Sequence, residues 1–201
     1  MMPRNASRRS IKPMQLSPAL FLDRDGVIIE NRADYVRSWA DVSFFPQALT
    51  ALARIRHCAY KIIIVTNQSP VGRGIISLET AVSINNRVIQ VIRKENGRVD
   101  GSYICPDAPG SGSPCRKPKP GMLLQAAQEH NIDLSRSIMI GDALTDIQAG
   151  RAAGVAHAVM LLTGRGQSQS QKPEAAALAP IPIFADLTVV LNHFFPDGSQ
   201  T

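Results

Sequence analysis

Aromatic residues make up only 5% of this 201-residue chain, and they are not interleaved with Lys and Arg. Stacking surfaces for single-stranded nucleic acid need that interleaving, so no nucleic-acid partner is expected. Nowhere do about 18 apolar residues run together, the length that spans a bilayer, and no membrane partner is expected either. Cysteine is confined to Cys58, Cys105 and Cys115, an odd number. Ser7-Arg8-Arg9 faintly resembles the start of an export signal, but Pro13, Gln15, Ser17 and Pro18 interrupt the apolar stretch such a signal requires. A disulfide framework is therefore not expected, and a reducing cytoplasm fits. Acidic residues are outnumbered, 16 against 22 Lys and Arg, for a formal charge of +6. That excess could steer anions to the protein. Part of it, however, is Arg4, Arg8, Arg9 and Lys12 near the N-terminus, and a solvated surface accounts for most of the rest.

Hydrophobic content of 44% with 19% charged residues describes a folded globular chain. Its length suits one domain with a substantial core. Residues 1–17 read as a mobile basic arm, 18–196 as a single domain, and 197–201 as a tail. Apolar runs alternate with helical patterns: strands ending at Asp23, over Lys61–Val65, Gly101–Cys105, Ser137–Ile140 and Ala156–Leu162, and a last one near Ile183. Helices are expected over Pro46–Arg56, Leu78–Glu95, Pro120–His130, Ala143–Ala153 and Leu187–Phe194, with a flexible loop at Gly72-Arg73-Gly74 and a loose one over Gly164–Pro180. This alternation implies an α/β fold, a doubly wound, Rossmann-like parallel sheet with helices on both faces.

Chemistry-bearing residues gather at the ends of these runs. LFLDRDGVII, Leu20–Ile29, places Asp23 and Asp25 after a short apolar run and before Gly26, whose freedom lets the backbone turn away. VTNQS, Val65–Ser69, ends a second run. CRKPKPGM, Cys115–Met122, sets Lys117 in a proline-stiffened loop, and IMIGDALTD, Ile138–Asp146, ends a third run with Asp142 and Asp146. In open α/β sheets ligands bind outside the carboxyl ends of the strands, so all of these can line one edge.

The order D-x-D, Thr-Asn, Lys, G-D-x-x-x-D resembles the four motifs of the haloacid dehalogenase superfamily of phosphatases. The longer strings FLDRDGVI, TNQS, Arg73-Gly74, CRKPKPGM and GD-x-L-x-D are similar to the branch that contains the heptose 1,7-bisphosphate 7-phosphatases and the histidinol-phosphate phosphatases, over roughly Pro18–Thr163. No segment between the first two motifs is long enough for a separate cap domain. The resemblance implies a Mg²⁺-dependent phosphomonoester hydrolase that acts on a small phosphorylated sugar.

 The working unit it implies is a single copy of the chain, and the preferred substrate is heptose 1,7-bisphosphate at its 7-phosphate. Histidinol phosphate, a 3′-phosphorylated polynucleotide and an inactive binding module are the alternatives.

Residue by residue, the resemblance makes Asp23 the nucleophile that forms an aspartyl-phosphate and Asp25 the acid and base. Thr66 and Lys117 hold and neutralise the transferring phosphoryl group. Mg²⁺ would be bound by the Asp23 side chain, the Asp25 backbone carbonyl and Asp142, with Asp146 one helical turn on and behind the direct ligands. Substrate contacts fall to Asn31, Tyr35, Asn67, Gln68, Ser69 and Arg73, with Arg116 offering its planar fork to a second anionic group. Two departures stand out. Many relatives in this branch carry zinc on Cys-x-His and Cys-x-Cys, but here Asp107 and Ser113 replace two of the ligands and leave Cys105 and Cys115, too few for a structural Zn²⁺ site. Ala143 stands where a basic residue often follows the motif's aspartate, which weakens the case for a bisphosphate.

Overall fold

The computed structural model describes residues 16–196. From the N-terminal side, β1 (Ala19–Leu22) leads through a long loop to α1 (Pro46–Arg54) and β2 (Lys61–Asn67), then α2 (Ser69–Gly72) and α3 (Leu78–Lys94). β3 (Gly101–Cys105), α4 (Gly121–His130), β4 (Ile138–Gly141), α5 (Leu144–Ala153) and β5 (His157–Leu161) follow. α6 (Gly166–Ser170), α7 (Pro173–Ala177), β6 (Ile183–Phe184) and α8 (Leu187–Phe194) close the fold. The six strands form one sheet in the order β3-β2-β1-β4-β5-β6, every neighbouring pair parallel.

All four residues of β1 are fully buried, because both faces of the sheet are covered. Leu20 and Leu22 face α1, α3 and α8 through Leu52, Val88 and Leu191, whereas Ala19 and Phe21 face α4 and α5 through Leu123, Ala126 and Ala149. Period-two alternation along one strand thus feeds two cores. The helices start and stop on local signals: the Ser77 side chain accepts from Thr80 N–H at 3.1 Å to cap α3, and Gly154 ends α5 in the left-handed conformation.

The chain runs outward from β1 to β3, then returns to the other side of β1 with β4. That reversal is a topological switch point, where a crevice opens between the carboxyl ends of β1 and β4. Asp23 and Asp142 are the first residues past those two strands. Over the crevice lies the loop between β1 and α1, a narrow flap whose Ile29 and Phe44 pair antiparallel. It forms no separate cap layer among the described residues.

Three expectations need correction. Residues 164–180 are not a loose loop: Pro173 starts α7 in a position that needs no N–H, Ala175 seats against Ile147 and Met160, and the Arg151 guanidinium donates to the Leu178 and Pro180 carbonyls. Gly72-Arg73-Gly74 is closed by backbone hydrogen bonds from Arg73 N to Ser69 O and from Gly74 N to Val71 O. Cys105 and Cys115 are bonded to each other, against the expectation of no disulfide. Residues 1–15 and 197–201, most of the basic arm and the tail, lie outside the described residues, while Ser17 pairs with Ile132. No helix among the described residues is long and apolar enough to cross a membrane.

Candidate active site

At the switch point the chain places four buried or partly buried carboxylates beside three cations. Lys117 Nζ is buried and donates to Asp23 Oδ1 at 2.8 Å, to Asp146 Oδ1 at 2.7 Å and to the Val65 carbonyl at 2.8 Å. All three hydrogens of the ammonium are used. Burial alone would lower the Lys117 pKa, but Asp146 and Asp23 override it and hold the group well above the usual range, so it stays charged. Asp23 moves the other way. Burial, helped by Asp146 and Asp25 and opposed by Lys117, raises its carboxyl from 3.8 to about 6.

Asp142 is fully buried, and its pKa is raised by burial and by Asp23 against the pull of Arg165. Asn31 Nδ2 donates to its Oδ2 at 2.5 Å, and the Arg165 backbone N–H donates to the same oxygen at 2.8 Å. Gly26 approaches closely at φ 90°, and a Cβ there would overlap both the Asp142 carboxylate and the Asn31 amide. Asp146 accepts from Ala143 N–H at 3.0 Å through Oδ2, so one carboxylate both caps α5 and holds Lys117. Carboxylate oxygens of Asp23, Asp142 and Asp146 lie within 4.8 Å of one another, a donor set suited to a hard divalent cation.

Asp25 pairs with the buried Arg24 through Nε at 3.1 Å and Nη2 at 3.2 Å. Its Oδ2 also accepts from Thr66 Oγ1 at 3.3 Å and from Gln68 Nε2 at 3.2 Å. Thr66 lies inside β2 rather than beyond it, because pairing with β3 continues through Asn67 opposite Cys105. Asn67 is turned to the Lys117 backbone, donating to its carbonyl at 3.0 Å and accepting from its N–H at 3.1 Å. Its amide braces the lysine loop while Asn67 also lines the cavity above the site.

A cavity of about 540 Å³ opens over this cluster. Asn31, Tyr35, Asn67, Gln68, Ser69 and Arg116 line it; Arg73 is exposed and does not. Arg116 donates to the Asp107 carbonyl at 2.8 Å, and burial together with nearby Arg73 lowers its pKa. Two charged residues escaped the sequence reading. Arg24 sits between two aspartates and reads as a turn residue, and Arg165 falls in the segment taken for a loose loop. A signal for Arg165 was there, since it follows the carboxyl end of a strand as the other site residues do. In the loop ahead of Arg116, Asp107 Oδ2 lies 3.6 and 3.5 Å from the sulfurs of Cys105 and Cys115.

A sheet of this order, with D-x-D past β1, a buried lysine and a paired-aspartate motif past β4, defines a class. The haloacid dehalogenase-like hydrolase family model matches residues 5–151, and an HAD-hydrolase-like model matches residues 114–189. The chain belongs to the haloacid dehalogenase-like hydrolases. It is an enzyme, and its class is phosphatase. Among its relatives, a D-glycero-beta-D-manno-heptose-1,7-bisphosphate 7-phosphatase of Pseudomonas aeruginosa is 34% identical over 86% of this chain and 95% of its own. One of the same name from Helicobacter pylori is 41% identical over 71% of this chain and 82% of its own. A crystal structure of D,D-heptose 1,7-bisphosphate phosphatase from B. bronchiseptica, complexed with magnesium and phosphate, superposes with a TM-score of 0.80 at 29% identity. It covers 90% of this chain and 99% of that one.

Proposed function

We propose that the enzyme removes the 7-phosphate of D-glycero-D-manno-heptose 1,7-bisphosphate, working as a monomer whose residues 18–196 act as one domain. The observation that carries this reading is the layout of the cavity, with the Asp23–Lys117 cluster at its floor and Arg116 on its wall. Such a cavity suits a ligand with one reacting and one held anionic group. The names of the relatives point to the same substrate.

In this mechanism an Asp23 oxygen attacks phosphorus as the P–O bond to the sugar breaks, and Asp25 protonates the departing alkoxide. Water then attacks the aspartyl-phosphate, Asp25 takes its proton, and phosphate leaves with Asp23 restored. Lys117 engages only Oδ1 of Asp23, and no side-chain donor among the described residues reaches Oδ2. The Thr66 and Gln68 contacts support Asp25 as the group whose position matters. Thr66 and Lys117 offset charge on the transferring oxygens, while Tyr35, Asn31 and Ser69 line the path of the sugar. The three converging carboxylates fit Mg²⁺, for which Asp23, Asp142 and the Asp25 carbonyl would be ligands, with Asp146 behind them. When bound, the cation supplies charge neutralisation and Lewis acidity. We place the enzyme in the cytoplasm, a compartment whose thiol-reducing systems oppose the bond between Cys105 and Cys115.

Phosphate release is the test, measured with and without Mg²⁺ on both anomers of heptose 1,7-bisphosphate, histidinol phosphate, fructose 1,6-bisphosphate and a 3′-phosphorylated oligonucleotide. Preference for the heptose bisphosphate, abolished in Asp23→Asn, is expected. Preference for histidinol phosphate or the oligonucleotide would refute the substrate but not the chemistry.

A further inference from the structure

Asp142 is fully buried, yet its two oxygens are held in different ways. Oδ2 is fixed by the Asn31 amide at 2.5 Å and by the backbone N–H of Arg165 at 2.8 Å, with only a long 3.4 Å contact from Arg165 Nε added to them. Gly26 and Gly164 pack so closely on it that a Cβ on either would overlap that oxygen. Oδ1 accepts only from Arg165 Nη2, at 3.2 Å, among the described residues. The Arg165 side chain is 55% exposed, and it also lines the cavity with Arg116. One carboxylate oxygen in the candidate metal position is therefore covered by a long, solvent-exposed cation whose main chain is anchored independently of its side chain.

Resting on the function proposed above, we infer that Arg165 is a movable counter-ion: its guanidinium holds Asp142 Oδ1 until Mg²⁺ takes that oxygen, then turns into the cavity to bind the substrate's second anionic group beside Arg116. A divalent cation and a guanidinium repel each other at one carboxylate oxygen, so metal binding must displace the side chain. The backbone N–H stays on Oδ2 and keeps Asp142 oriented throughout. A fork released into the cavity then faces the same space as Arg116, and two forks can hold one anionic group from two sides. Metal and substrate consequently favour each other through a single residue, and that coupling is reciprocal.

The test is calorimetric titration of MgCl₂ into the full chain stripped of metal and free of substrate, comparing wild type with Arg165→Gln. Removing the competitor should tighten Mg²⁺ binding by roughly threefold to tenfold. In turnover assays at saturating Mg²⁺, the same variant should raise KM for the heptose bisphosphate by about tenfold, a clearly larger factor than its effect on KM for p-nitrophenyl phosphate. Unchanged or weaker Mg²⁺ binding overturns the inference, as does an equal rise in both KM values. Arg165→Lys retains charge without the fork, so it should give a smaller shift of the same sign and serves if Arg165→Gln does not fold. The calorimetric result involves no substrate, so it decides the role of Arg165 even if the bisphosphate proves to be a poor substrate and the functional reading falls.

Discussion

Replacing Lys117 with Met keeps most of the buried stem and removes only the ammonium. Asp23 and Asp146 then lose a partner at 2.8 and 2.7 Å in a site with almost no solvent. Breaking a buried pair in this way costs about 3–5 kcal/mol. For a chain of this size each kcal/mol lowers Tm by about 2–4 °C, so a fall of roughly 6–20 °C is expected at pH 8 in EDTA. The sign of the pH dependence follows from Asp23. Its folded pKa is raised from 3.8 to about 6, so its contribution to stability is present below 3.8 and is lost as pH rises through about 6. Without Lys117 the folded pKa rises further, and protonation then removes the charge that lacks a partner. The deficit of Lys117→Met relative to wild type should therefore shrink at pH 5, and saturating Mg²⁺ should restore part of it at pH 8. Thermal unfolding followed by circular dichroism gives both numbers. An equal deficit at pH 5 and pH 8 would assign the loss to packing and refute the electrostatic account.

At limiting Mg²⁺, kcat/KM should fall about tenfold per pH unit below about 6, where Asp23 protonates, and the midpoint should move down as Mg²⁺ is raised; a midpoint that ignores Mg²⁺ would contradict this. Arg116→Ala should raise KM for the bisphosphate about tenfold and leave p-nitrophenyl phosphate unaffected, as steady-state kinetics will show. Gly26→Ala should cost about 1–3 kcal/mol, because φ 90° is strained for alanine and the new Cβ overlaps Asp142; thermal unfolding reads the loss, and calorimetry should find weaker Mg²⁺ binding.

The strands and the groups at their ends were legible because fully buried parallel strands read as unbroken apolar runs, and chemistry collects where such runs stop. Asp23, Thr66 and Asp142 were found on that logic, and Lys117 from its proline-stiffened loop and the order of the motifs. Asn67 occupies the same kind of position, yet its partner is the backbone of a residue 50 positions away, and nothing local marks that. Arg24 was invisible for a related reason. Flanked by two aspartates it looks solvated, and it is buried only because the chain folds back at once, with Ile28 and Ile29 donating to its own carbonyl. α7 was hidden by composition, since a stretch rich in Gln, Ser and Ala signals looseness until Ala175 finds a seat in the core.

The charges of the site explain why one of its cations has to move. Four carboxylates, Asp23, Asp25, Asp142 and Asp146, face Arg24, Lys117 and Arg165, which leaves this ion-paired cluster net negative beneath a cavity wall that carries Arg116. A divalent cation reverses that sign. The site then has more positive charge than its carboxylates need, and the cation that can leave is the one least held. Arg24 and Lys117 are buried with side chains 1% and 2% exposed, whereas Arg165 is 55% exposed. Burial thus fixes two of the cations as structural parts of the site and leaves the third free to follow the charge of whatever binds there.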